Sequence, residues 1–181
     1  MRSMARDETG WAARWKVWLR GPEMIEVPLE LSNRPHWELK GRPDSARFFR
    51  GLAAALPAAT TLYLEGTGFA RDVEQFLRSA GEPGDYLPKR HTLWPRPAQF
   101  RLRFEDSTLA ALAALAARHA EPELLDHLFV YQGSNVLLEF PDAFLRDSPV
   151  LISAGVDEQR LRSFAAALGL ELVLVEPDSS H

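Results

Sequence analysis

Residues 118–128 read RHAEPELLDHL and set His119, Glu123 and His127 four apart. On an unbroken helix these side chains would stack on one face, and imidazole with carboxylate is a donor set suited to zinc or iron. Pro122 stands inside that span. A proline in a helix interior forfeits a hydrogen bond and clashes one turn back, at a cost of about 3 kcal/mol. The spacing therefore predicts a helix that ends near His119, a short turn opened by Pro122, and His127 at the mouth of the following strand. In that geometry the three side chains need not converge. No metal is assigned, and His119, Glu123 and His127 stand as the alternative set. A histidine at a helix C-terminus also has a structural reason, because its cationic form faces the negative end of the helix dipole.

The second group with chemical potential is the loop YLPKRHTLWPRP and the strand after it. Tyr86, Arg90, His91, Trp94 and Arg96 are followed by Arg101 and Arg103. Aromatic rings among arginines anchor protein interfaces. They also stack on nucleotide bases, but the net charge of -4 and pI of about 5.8 argue against a polyanion as partner. These seven residues form the candidate partner-binding set.

Other motifs stop short of a site. LYLEGTGFARD runs a strand through Gly66 and Gly68 towards a helix, but Arg71 occupies the place of the third glycine in a dinucleotide loop. Glu65 beside the turn would repel a phosphate, so a plain strand-to-helix turn is expected. No G-x-S-x-G elbow occurs, as QGSN and LISAG both fall short of it. His36, His91 and His181 are scattered. Glu139 with Asp142 reads as ordinary surface charge, and Glu105 with Asp106 as the acidic start of a helix. No catalytic residue and no cofactor is assigned.

The elements that would position these groups follow from periodicity. RWKVWLRGPEMIEVPLEL predicts a hairpin turned at Gly21-Pro22, and HWELK a short strand. RPDSARFFRGLAAAL predicts a helix opened by Pro43 or Asp44, and TTLYLE a strand. FARDVEQFLRSAG predicts an amphipathic helix with Phe69, Val73, Phe76, Leu77 and Ala80 on one side, closed by Gly81. AQFRLRF alternates Phe100, Leu102 and Phe104 inward against Arg101 and Arg103 outward. DSTLAALAALAARH predicts a capped helix, apolar nearly all round and so buried, or failing that a dimer seam over 107–119. HLFVYQGSNVLLEF predicts a hairpin turned at Gly133 to Asn135, SPVLIS an edge strand, VDEQRLRSFAAALG a helix ended by Gly169, and LELVLVE a last strand.

The expected class is α+β, built from two associated ββ(β)αβ halves. Residues 1–12 read as a disordered N-terminus, 13–81 as the first half and 82–97 as a proline-rich loop. Residues 98–176 read as a ferredoxin-like half in the order βαββαβ, and 177–181 as a tail. Gly21 and Gly133 lie 112 residues apart, as do RGLAAAL at Arg50 and RSFAAAL at Arg162, which suggests a diverged repeat. The chain has 181 residues, is 46% hydrophobic and 25% charged, and contains no cysteine. That excludes disulfides, thiolate metal sites and a cysteine nucleophile. Lysine occurs only at Lys16, Lys40 and Lys89, an arginine-rich balance that suggests a GC-rich bacterial source. With no apolar run long enough for a signal peptide or a membrane span, a cytoplasmic protein is expected.

The function expected from these features is non-enzymatic. The chain reads as a bacterial protein-binding module that docks or neutralises a partner protein. The alternative is a small-ligand binder or metal-dependent hydrolase with a pocket at the seam between halves, using Glu65, His91 or the His119–His127 group.

Overall fold

The computed structural model describes residues 23–24, 29–89, 92–120, 122–145 and 148–177. In chain order the elements are β1 (Glu23–Met24), β2 (His36–Lys40), α1 (Ser45–Ala55), β3 (Thr61–Gly66), α2 (Arg71–Ala80), β4 (Thr92–Trp94) and β5 (Ala98–Arg103). There follow α3 (Asp106–Ala116), β6 (His127–Gln132), β7 (Asn135–Phe140), β8 (Val150–Ser153), α4 (Glu158–Leu168) and β9 (Glu171–Val175). The α+β class holds. Of the hairpin expected over residues 14–31, the described residues are Glu23 and Met24, whose strand pairs with β4, and 29–31, where Leu31 opens a 3-10 turn.

Seven strands form one antiparallel sheet in the order β5-β3-β6-β7-β8-β2-β9. Residues 98–175 supply five of these strands, and the earlier β3 and β2 fill the places between β5 and β6 and between β8 and β9. The two stretches expected as associated halves share one hydrogen-bonded ladder. SPVLIS, expected at an edge, lies inside the sheet as β8, with β7 on one side and β2 on the other.

Alternation along the strands divides the side chains between two faces. Trp37, Leu39, Leu62, Leu64, Leu102, Leu128, Val130, Leu138, Phe140, Val150 and Ile152 point to the helices and join their apolar sides in the main core. α1 packs against both α3 and α4 there. On the other face Tyr63, Phe129, Tyr131, Val136 and Leu151 surround Leu31, which a short 3-10 turn (Leu31–Asn33) inserts from above.

The helix ends follow local chemistry. Asp44 and Asp157 cap α1 and α4 by accepting from the backbone N–H of Arg47 and Arg160, each at 2.8 Å. The same two arginines then reach across. Arg47 Nη2 donates to the Ala167 carbonyl at the end of α4, and Arg160 Nε donates to the Ala54 carbonyl at 2.7 Å at the end of α1. Each helix therefore supplies a cation to the negative end of its neighbour. Gly169 closes α4 at φ 71°, a left-handed conformation that suits glycine.

Two expected caps differ. Gly81 ends α2 at φ -64°, and a Cβ there would stand 2.9 Å from the Leu77 carbonyl oxygen, so close approach and not handedness explains the glycine. The Glu105 side chain makes no cap hydrogen bond to α3, whose first turn carries Asp106. α3 buries Leu109, Leu112, Ala113, Leu115 and Ala116 and leaves Ala110, Ala114 and Ala117 exposed.

Candidate functional site

α3 ends at Ala116, well before Pro122, and the residues after it form a joint with the start of α2. His119 Nε2 lies 2.9 Å from Asp72 Oδ1, and its Nδ1 lies 3.4 Å from Glu123 Oε2. Arg118 adds a contact to Asp72 at 3.1 Å. The Ala70 N–H donates to the Glu123 carbonyl at 2.8 Å. Hydrogen bonding to Asp72 raises the His119 pKa above its ordinary value; partial burial opposes this and Glu123 adds to it. The same contact lowers the pKa of Asp72. A ring held by carboxylates at both nitrogens serves as a charged bridge and offers no lone pair to a metal.

His127 is placed differently. It is buried in β6, and its Nδ1 accepts from the Asp142 backbone N–H at 3.0 Å, so its proton sits on Nε2. His119 and His127 thus answer to separate partners. Among the described residues, no group of three His, Asp or Glu side chains is arranged to hold a metal ion. The Gly66–Gly68 turn is also occupied by protein. Asp126 Oδ2 accepts from the Thr67 backbone N–H at 2.7 Å and from the Thr67 hydroxyl at 2.8 Å. The position a phosphate would take therefore already holds a carboxylate.

The proline-rich loop is pinned along its first half. The Glu82 N–H donates to the Arg101 carbonyl at 2.8 Å, and the Glu82 carboxylate pairs with Arg103. Arg101 Nη1 donates to the Pro83 carbonyl at 2.7 Å. Both strand arginines in the candidate set therefore hold the loop down. Tyr86 turns inward and meets Tyr63 edge-to-face at 5.3 Å between ring centroids. Tyr63 in turn meets Tyr131 at 5.4 Å, so all three tyrosines of the chain gather on the second face of the sheet. The Tyr86 hydroxyl is buried with no hydrogen-bond partner among the described residues. Burial first, then the charge of Glu65, drives its pKa well above the ordinary phenol value.

Between these anchors the loop presents an outer rim. Asp85, Leu87, Lys89 and Arg96 are exposed, and Leu87 keeps 45% of its surface in solvent. Arg90, His91 and the Trp94 side chain lie outside the described residues.

Two buried carboxylates were not legible as such. Glu139, read from the sequence as surface charge, is 3% exposed. Its Oε1 accepts from the Glu30 N–H at 3.0 Å and its Oε2 from the Leu31 N–H at 2.8 Å. It thereby fastens the 3-10 turn to the sheet. Burial raises its pKa, and the two amides oppose that shift. Glu65 is fully buried and accepts from Gln99 Nε2 at 3.0 Å. The signal was present in NVLLEF and TLYLEG. An acid inside a strand apolar on both faces must be buried, and so must be bonded.

A shallow groove of about 550 Å³ opens between the start of α1 and the end of α3. Its polar walls are engaged: Asp44 caps α1, Ser45 Oγ donates to the Ala116 carbonyl at 3.3 Å, and Arg118 and His119 hold Asp72. No helix among the described residues is long and apolar enough to cross a membrane. Set against known proteins, the chain matches no family, no curated protein and no solved structure.

Proposed function

We propose that this chain is a non-enzymatic protein-binding module whose docking element is the outer rim of loop 82–97. One observation carries the reading. Leu87 is held out in solvent beside Tyr86, which is anchored in the second-face cluster. The first part of the loop, already held at Glu82, Pro83 and Tyr86, loses little conformational freedom on binding, so most of its contact energy is available for affinity. Lys89 and Arg96 are exposed on the same loop, which fits a partner with an apolar socket and an acidic border. On composition the setting is the cytoplasm of a bacterium, and a docking or toxin-neutralising role follows the same line. The reciprocal capping of α1 and α4 supports a diverged repeat, with the cap residues Asp44 and Asp157 standing 113 positions apart, one more than the 112 of the sequence match.

The test compares the intact chain with Leu87→Glu, Arg96→Glu and a distant control, Gln159→Ala. Binding of the partner should fall at least tenfold in the two loop variants and stay unchanged in the control. A partner that binds Leu87→Glu normally removes the loop from consideration.

A small-ligand reading rests on the Tyr86 hydroxyl, which is buried without a hydrogen-bond partner among the described residues. It requires native mass spectrometry to show a bound molecule that Tyr86→Phe releases, whereas docking through the rim is indifferent to that change.

A further inference from the structure

The two edges of the sheet are treated differently. Beside β5 lies the loop, whose Glu82 N–H bonds the Arg101 carbonyl, with the Arg103–Glu82 pair alongside. β9 has β2 on one side and, among the described residues, no strand on the other. Its run LELVLV contains one charge, no lysine, no proline and no bulge, and its register with β2 is unbroken over five pairs. Leu174 on this edge is 45% exposed. Natural sheets blunt exposed edges with charge, proline or irregularity, and a bare apolar edge is a template for another strand.

We propose that this edge is completed by β9 of a second copy, antiparallel about a twofold axis at Val173. The sequence of the edge argues for a second copy over any other strand because it complements itself. Pairing about Val173 sets Glu171 opposite Val175 of the partner, Leu172 opposite Leu174, and Val173 opposite itself. All five residues then find partners. The exposed Leu174 packs on a leucine, and Glu176 falls opposite Leu170, so no acid faces an acid. Sliding the register by one residue would put Glu171 against Glu176 and lose this match. An isologous interface requires self-complementarity of this kind. The interface is separate from the loop rim, so one chain can hold a second copy at β9 and a different protein at Leu87.

The absence of cysteine makes the test clean. Val173→Cys places a single thiol on the axis, and mild oxidation should yield a covalent dimer on a non-reducing gel. Ala114→Cys, exposed on α3, should stay a monomer on the same gel. Light scattering of the unmodified chain should give twice the 20.3 kDa chain mass. Leu174→Lys should raise the dissociation constant at least tenfold with the far-UV circular dichroism unchanged. A one-copy mass at micromolar concentration overturns the proposal, whether the edge is bare or takes a strand from another protein. So does cross-linking at residue 114 in place of 173, or a dimer that Leu174→Lys leaves intact.

Discussion

The Glu139 carboxylate gives both oxygens to backbone amides of Glu30 and Leu31, and Leu31 is fully buried. Glu139→Ala strands those donors, and an unsatisfied buried amide costs about 1–3 kcal/mol, so a loss near 2 kcal/mol in urea unfolding is expected. Tyr86 on the same face behaves oppositely. Its hydroxyl has no partner among the described residues, so Tyr86→Phe removes a desolvated polar group and should leave stability equal or higher by about 1 kcal/mol, read from the same urea midpoint. His119 sets a pH dependence. Its pKa is raised in the folded chain, so the bridge contributes fully below the ordinary imidazole value of 6.5 and is lost as pH climbs through the raised value. Asp72, lowered by the same bond, must remain ionised, so its part appears above 3.8 and is lost as pH falls through its lowered value. Stability should therefore decline on the alkaline side of 6.5 in the native chain, and His119→Gln should flatten that decline. A proton NMR titration of the His119 ring checks the shift directly.

Helix ends were readable where a single residue decides them. Asp44 and Gly169 each act locally, and each does what its type and position imply. The break before Pro122 was readable for the same reason. The side-chain exchange between α1 and α4 was not, because Arg47 meets Ala167 across 120 positions, a separation no local pattern encodes. The inward turn of Tyr86 and the use of Arg101 and Arg103 as loop clamps were hidden likewise. A mixed aromatic and cationic stretch looks the same whether its rings face the core or a partner. The close crossing of α1 and α4 makes a further prediction. A Cβ on Gly51 would stand 2.6 Å from the buried Phe164 ring, so Gly51→Ala must displace that ring or push the helices apart. Overpacking of this kind costs about 1–3 kcal/mol, more than the helix propensity that alanine brings. Thermal unfolding should show a lower midpoint, and Gly51→Ala combined with Phe164→Leu should recover part of it.

At the scale of the whole molecule, strand order decides what can fold alone. Read along the chain, residues 98–175 contain strands and helices enough for a unit of their own. In the ladder, however, β5 and β6 meet only through β3, and β8 and β9 only through β2. Leu62 and Leu64 of β3 and Trp37 and Leu39 of β2 also complete the core under the helices. Without them β5 and β9 have no neighbours and the apolar sides of Leu102, Leu128 and Val130 meet water. A fragment of residues 98–177 should therefore lack a cooperative thermal transition. Adding the fragment of residues 1–97 should restore one, since the missing strands then return to their slots. The intact chain should unfold in a single step, with the same midpoint by tryptophan fluorescence and by far-UV circular dichroism. The ladder also explains why strand order was illegible from the sequence. His36 pairs with Ser153 and Val175, partners more than 110 positions away, and nothing within HWELK distinguishes a strand in the middle of a sheet from one at its rim. If the 98–177 fragment melts cooperatively by itself, the shared ladder is not what holds the molecule together, and two self-sufficient halves become the better description.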